Sequence, residues 1–203
     1  MNRELKKHWE YIYSTKQPHE VSWTQKVPET SLEFIRNSGM PKNAHIIDVG
    51  GGDSLLVDHL LDNGYENITV LDISANSLER ARKRLGKRGE QVKWVVTNVL
   101  DFQPEHKYDI WHDRAAFHFL TDNEDIQQYV DLTSQYVKSD IVLGTFSEDG
   151  PEKCSGLKIT NYNEEGLALL LRENFKKNRC ITIDHVTPFQ TSQNFLFCSF
   201  SRK

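Results

Sequence analysis

The chain has 203 residues, enough for a full hydrophobic core, and a formal net charge of −4 at pH 7. So small an excess creates no field that would draw it to nucleic acid or an anionic membrane, and no apolar run is long enough to span a bilayer. The opening Met1-Asn2-Arg3-Glu4-Leu5 is not a signal-peptide core, and Cys154, Cys180 and Cys198 are odd in number and widely spaced, which predicts reduced thiols in a soluble cytoplasmic protein without a metal site.

Leu5, Trp9, Ile12 and Tyr13 recur at helical spacing and predict an amphipathic helix ending near Pro18. A second helix is expected over residues 28–37, with Leu32, Phe34 and Ile35 apolar and Gly39-Met40-Pro41 as its stop. Between them Val21-Ser22-Trp23-Thr24-Gln25 is too short for an element, and Trp23 reads as a packing plug or part of a lid. From His45 the pattern alternates. Strands are expected at 46–49, 68–71, 92–97, 108–112 and 141–146. Between them fall a helix over 54–63 and one capped by Ser74, with Leu78, Ala81 and Leu85 on one face and Gly86 as its stop. A third starts at a capping box, Thr121-x-x-Glu124, and carries Ile126, Tyr129, Val130 and Val137. After a helix over 163–174, strands at 180–186 and 194–200 flank Thr187-Pro188 as an antiparallel hairpin. The last strand is apolar on both faces (Phe195 and Phe197 against Leu196, Cys198 and Phe200), which places it inside the sheet. The order argues for an α/β fold with a mostly parallel sheet and helices on both faces. With no repeat or linker, 1–203 reads as a single domain, residues 1–42 forming its helical cap.

Ligands in such a fold bind beyond the carboxyl ends of the strands, here Gly50 to Gly52, Asp72, Asn98, His112 to Arg114 and Thr145-Phe146. Gly50, Gly51 and Gly52 let the backbone approach a ligand and open a helix whose free amides face it. A dinucleotide fingerprint wants a third glycine where Leu55 stands, and Asp48 would repel a pyrophosphate while favouring a cation. S-adenosylmethionine, with a sulfonium, an ammonium and no phosphate, fits that electrostatic choice. Asp72 is placed to accept hydrogen bonds from ribose hydroxyls, or to cap the helix near Ser74.

With Asp48-Val49-Gly50-Gly51-Gly52, Leu71-Asp72-Ile73-Ser74 and the final hairpin, the chain resembles the class I S-adenosylmethionine-dependent methyltransferases from His45 onward. The resemblance implies a Rossmann-like seven-stranded sheet with N-terminal helices as a lid, S-adenosylmethionine as cofactor and S-adenosylhomocysteine as product. It implies a cofactor site of Asp48, Gly50, Gly51, Gly52, Asp72, Ile73, Asn98, Val99 and His112, with Asn98 where the family often has the Asp that meets the adenine amino group. His8-Trp9 to Tyr13, Glu20 to Trp23, the segment 112–120 and the segment 146–157 are similar to a small bacterial branch. That branch is similar in turn to the mitochondrial citrate synthase lysine methyltransferase and, more distantly, to elongation-factor lysine methyltransferases. This makes Trp23 a wall of the cofactor pocket and a protein lysine the expected acceptor.

A lysine amine must be neutral to attack, so carboxylates or aromatic rings near the methyl group would orient it. Asp113 is the candidate acid and His118 the candidate base; Arg114 beside them completes the catalytic set, and Cys154 reads as a substrate-loop thiol rather than a nucleophile. Arg80, Arg82, Lys83, Arg84, Lys87 and Arg88 read as the solvated face of a helix, and the Pro-Pro-aromatic signature of DNA amino-methyltransferases is absent. The alternatives are a small-molecule methyltransferase and a non-catalytic cofactor-binding protein.

Overall fold

The computed structural model describes residues 3–203; Met1 and Asn2 of the charged opening lie outside the described residues. Helices α1 (Arg3–Thr15) and α2 (Glu29–Asn37) precede the alternating core. There β1 (His45–Val49), α3 (Leu56–Asp62), β2 (Asn67–Asp72), α4 (Ala75–Leu85), β3 (Val92–Val96), β4 (Tyr108–Arg114), α5 (Asn123–Tyr136) and β5 (Val137–Phe146) follow in turn. A two-stranded hairpin of β6 (Lys153–Cys154) and β7 (Leu157–Lys158), then α6 (Glu164–Leu171), β8 (Phe175–Val186) and β9 (Ser192–Arg202), complete the chain.

The sheet has seven strands in the order β3-β2-β1-β4-β5-β9-β8. Its first five are mutually parallel, while β9 runs antiparallel to both β5 and β8. β9 is therefore interior, and the reason is visible in its sequence: Phe195, Leu196, Phe197, Cys198 and Phe200 are all buried, so neither face of the strand suits an edge. The chain leaves β1 toward β2 on one side and has β4 on the other, which opens a crevice at the carboxyl ends where strand order reverses.

The two N-terminal helices have different tasks. α2 buries Leu32, Phe34 and Ile35 against the sheet layer, and only its beginning, Pro28 and Ser31, reaches the crevice. α1 crosses the crevice, turning Leu5, Trp9 and Tyr13 into it. The apolar stripe of the amphipathic helix thus faces a cavity.

Three local expectations are corrected. α5 is capped at Asp122, without a side-chain hydrogen bond, rather than by a box at Thr121, and Val137 opens β5 instead of ending the helix. Cys180 and Cys198 are directly paired across β8 and β9 and form a disulfide, so a free thiol remains only at Cys154. Their pairing follows from hairpin register, which spacing does not reveal. The β6-β7 hairpin, two residues to a strand, is too short to have left a periodic signal. The basic run on α4 and beyond is largely neutralised: Arg80 pairs with Asp53, Lys83 with Glu79, Arg84 with Asp58 and Arg88 with Asp62. No helix among the described residues is long and apolar enough to cross a membrane.

Candidate active site

The crevice at the carboxyl ends holds a cavity of about 300 Å³. Its floor is the glycine loop after β1. The amides of Gly50 and Gly51 both donate to the Leu71 carbonyl, at 2.8 and 3.2 Å, which ties the loop to β2. Gly50 and Gly52 have φ of 66° and 52°, a region that penalises side chains. A Cβ on Gly51 would stand 2.5 Å from Asp48 Oδ2, and one on Gly52 2.7 Å from the Tyr13 hydroxyl. The loop is thus bare for two reasons, conformation and the closeness of what surrounds it.

Asp48 and His112 line the cavity as a bonded pair. Asp48 Oδ1 lies 2.7 Å from His112 Nδ1, and His112 Nε2 meets the Ser31 hydroxyl at 2.9 Å, all buried. An ionised carboxylate only accepts, so Nδ1 carries the proton. Asp48, expected to favour a cationic ligand, is engaged by an imidazole of the neighbouring strand.

Asp72 ends β2 at the opposite wall. Its Oδ1 accepts from the Ser74 amide at 2.8 Å, the local turn its sequence position also allowed, while Oδ2 is the nearer oxygen to Gly52. Burial pushes its pKa up to about 7, against hydrogen bonds from Ser74 and Ser77 that favour the charged form; the charges of Asp53 and Asp48 add to the rise. Ile73 and Val99 line the cavity beside it. Asn98 does so as well, but its amide oxygen accepts from the Leu100 amide at 3.1 Å as the cap of a short turn. One of its two acceptor lone pairs is therefore committed within the chain.

Trp23 stands on the turn between α1 and α2 and forms an aromatic wall with α1: its ring meets Trp9 at 5.6 Å and Tyr13 at 6.3 Å, and Trp9 meets Phe119 at 5.2 Å. Burial, and the charges of Asp72 and Asp53, hold the Tyr13 hydroxyl well above its usual pKa, so it is a neutral phenol. Tyr13 and Trp9 were legible as an i, i+4 aromatic pair, but nothing local tells a core stripe from a cavity stripe. Glu10, on the same helix, reaches the start of α4 and had no sequence signal at all, its partners lying more than sixty residues on.

The candidate catalytic set separates. Asp113 is fully buried and points away from the cavity: Oδ1 accepts from the amides of Ala116 and Phe117 at 3.1 and 3.0 Å, and Oδ2 from the Tyr129 hydroxyl at 2.9 Å. Burial raises its pKa to about 6 against these bonds. It braces the loop after β4 and is not an acid facing an acceptor. His118 is likewise buried, packed against Phe119 and Phe146 at 4.6 and 4.8 Å between ring centres, with both ring nitrogens unpartnered. Burial and the nearby Arg114 charge press its pKa down to about 3, so it is a neutral packed histidine, not a base.

Arg114 alone of the three lines the cavity. Its Nη1 donates to the Trp23 carbonyl at 3.0 Å and its guanidinium lies 4.9 Å over the Phe195 ring. Burial lowers its pKa to about 10, which leaves it charged at neutral pH. Cys154 reaches the cavity from β6; burial pushes its thiol up to about 12 despite Arg114, so it stays protonated and is no nucleophile. No cluster of metal-ligating side chains occurs among the described residues.

Comparison with known proteins bears on this geometry. Residues 46–140 match the family described as Methyltransferase domain. The chain is 25% identical over 119 residues to malonyl-[acyl-carrier protein] O-methyltransferase 2 of Ilyobacter polytropus, covering 57% of this chain and 44% of that protein. It is 22% identical over 144 residues to the human (Homo sapiens) EEF1A lysine methyltransferase 2, covering 66% and 60%. It therefore spans about half the length of the curated relatives it matches. Among solved structures, the 1,6-didemethyltoxoflavin-N1-methyltransferase of Burkholderia thailandensis, with bound 1,6-didemethyltoxoflavin and S-adenosylhomocysteine, superposes with a TM-score of 0.72 at 17% identity, covering 98% of this chain and 87% of that one. Taken with the sheet order, the glycine loop after β1 and the acid after β2, these matches support a class I S-adenosylmethionine-dependent methyltransferase, with the match to the methyltransferase domain lying within residues 46–140.

Proposed function

We propose that this chain transfers a methyl group from S-adenosylmethionine to a small acceptor held under the aromatic wall of Trp9, Trp23 and Phe119. The cofactor supplies a methyl group on a sulfonium sulfur, an electrophile that needs no further activation. What remains for the chain is positioning and exclusion of water. The glycine loop would take the cofactor against bare backbone, Asp72 would accept from its ribose hydroxyls, and Ile73 and Val99 would flank its base. Asn98 would meet the base with the half of its amide that Leu100 leaves free. Trp23 and Tyr13 would close over the loop from above.

The observation that carries a small acceptor is the wall opposite the glycine loop. It is largely apolar and aromatic and carries the guanidinium of Arg114, while the other charged groups reaching the cavity among the described residues are engaged elsewhere: Asp48 by His112, Asp53 by Arg80, Arg84 by Asp58, and Asp72 at the far wall. A lysine ammonium would meet a cation there and no free carboxylate. A protein lysine is the second reading, supported by the similarity to EEF1A lysine methyltransferase 2. Incubating the protein with methyl-labelled S-adenosylmethionine and a bacterial extract tests the choice: label in the low-molecular-weight fraction is expected, and label confined to protein bands would reverse it. Binding of S-adenosylhomocysteine but not NAD in calorimetry is expected as well, since the loop lacks the fingerprint's third glycine.

A further inference from the structure

Arg114 is a half-buried cation with most of its five N–H donors unused. Nη1 is held by the Trp23 carbonyl, and Phe195 supports the face of the guanidinium. Nε and Nη2 are shut off from solvent and have no hydrogen-bond partner. Those two nitrogens are the side-on edge of the guanidinium fork, the edge that takes a carboxylate through two parallel hydrogen bonds. Among the described residues no carboxylate is in ion-pair contact with Arg114: the charge of Asp48 reaches it, but Asp48 is bonded to His112, and the neighbours Cys154 and His118 are neutral. A charged donor pair without an acceptor is among the costliest arrangements a protein interior holds, and it marks a place where a ligand supplies what the chain withholds.

The position says which ligand. The glycine loop and Asp72 put the cofactor over β1 and β2, whereas Arg114 pairs with Gly144 of β5 and stacks on Phe195 of β9, on the other side of the switch point. The wall around it comes from Trp23 on a turn, Phe119 on a single helical turn and Cys154 on a two-residue strand, segments that yield more readily than central strands when a ligand enters.

We infer that Arg114 is the specificity residue of the acceptor site and seats a carboxylate, or an anion of the same planar shape, carried by a small apolar acceptor. This rests on the small-acceptor reading above. The anion is the anchor that orients the acceptor; Arg114 does not take part in proton transfer.

The test uses the full chain saturated with S-adenosylhomocysteine and matched probes of one shape, benzoate, benzamide and benzylamine, alongside indole-3-acetate and indole-3-acetamide, followed by ligand-observed NMR. The carboxylates are expected to bind at least about tenfold more tightly than the amides, with benzylamine weakest. In Arg114→Gln that preference disappears while affinity for S-adenosylhomocysteine stays within about threefold, and Arg114→Lys, which keeps charge but not the fork, falls between. Should Arg114→Gln not fold, the preference of the wild-type chain among the probes still decides. Equal binding of amides and carboxylates overturns the inference but leaves a small acceptor in place. Binding of no probe, with label entering protein bands, overturns both. A tenfold or greater loss of S-adenosylhomocysteine affinity in Arg114→Gln assigns the anion to the cofactor's own carboxylate and also overturns it.

Discussion

Glu10 on α1 caps α4 together with the local Ser74: the Ser74 hydroxyl accepts from the Ser77 amide at 3.3 Å and donates to Glu10 Oε2 at 2.8 Å, and the amides of Ala75 and Asn76 donate to the same carboxylate at 2.8 and 3.1 Å. A negative group at a helix N-terminus is stabilised by the orphan amides and the helix dipole together. One carboxylate thereby clamps the element that crosses the cavity onto the turn that carries Asp72.

Replacing Glu10 with Ala is expected to cost about 1–2 kcal/mol in urea unfolding. Hydrogen exchange in α1 should rise, and affinity for S-adenosylhomocysteine should fall with it. Burial alone would raise the pKa of Glu10, but the bonds from Ser74, Ala75 and Asn76 and the charge of Lys6 outweigh it and hold it below 4.5. A depressed carboxylate contributes its stability above its unfolded pKa and loses it as pH falls through the folded one. The deficit of Glu10→Ala should therefore shrink below about pH 4.5 and be constant above it.

Asp72 has the opposite sign. With its pKa raised to about 7, the free protein holds a proton there that the unfolded chain gives up near 3.8, so this group lowers stability progressively as pH rises between those values. Ribose hydroxyls need the ionised form as acceptor. Affinity for S-adenosylhomocysteine should then strengthen from pH 6 to pH 8, with proton release visible by calorimetry in buffers of different ionisation heat. Asp72→Asn should bind about tenfold or more weakly and without that pH dependence. An unchanged slope in the variant would assign the proton to another group.

Gly51→Ala brings a methyl carbon to 2.5 Å from Asp48 Oδ2 and 2.7 Å from Val70 Cγ1. The loop has to move or Asp48 has to leave His112. Loss of S-adenosylhomocysteine binding is expected together with a fall in stability of about 1–3 kcal/mol, as for overpacking of a close-packed core.

Asp113→Ala distinguishes a brace from a catalyst. It leaves the Tyr129 hydroxyl and the amides of Ala116 and Phe117 without their buried acceptor. A loss of about 2–4 kcal/mol in unfolding free energy is expected. A variant of wild-type stability with turnover reduced a thousandfold would restore Asp113 to the reaction.

The sequence made the frame readable because the frame is periodic. Apolar runs ending at Val49 and Asp72 place the glycines and the acid, and the double-faced apolarity of 194–200 places the last strand inside the sheet. What stayed hidden depends on direction or distance. Asp113, Arg114 and His118 stand close together in the chain, yet the end of β4 and the helical turn after it send one toward the cavity and two into the core, and residue type carries no such direction. Glu10 meets Ser74 and Cys180 meets Cys198 only through docking and register. Trp9 and Tyr13 obey the same spacing as a core stripe, and only the crevice beneath them makes them a wall.

The place of β9 between β5 and β8 has a consequence for how the molecule is made. During synthesis β5 and its parallel neighbours emerge first, and the edge of β5 stays open until the last-made strand pairs with it along residues 140–146. For that interval the nascent chain presents an unpaired edge backed by buried apolar residues, the kind that recruits other chains. Shortening the chain within 192–202 removes a central seam of the sheet, not a margin, so such truncations should accumulate as aggregates rather than as folded, weakened protein.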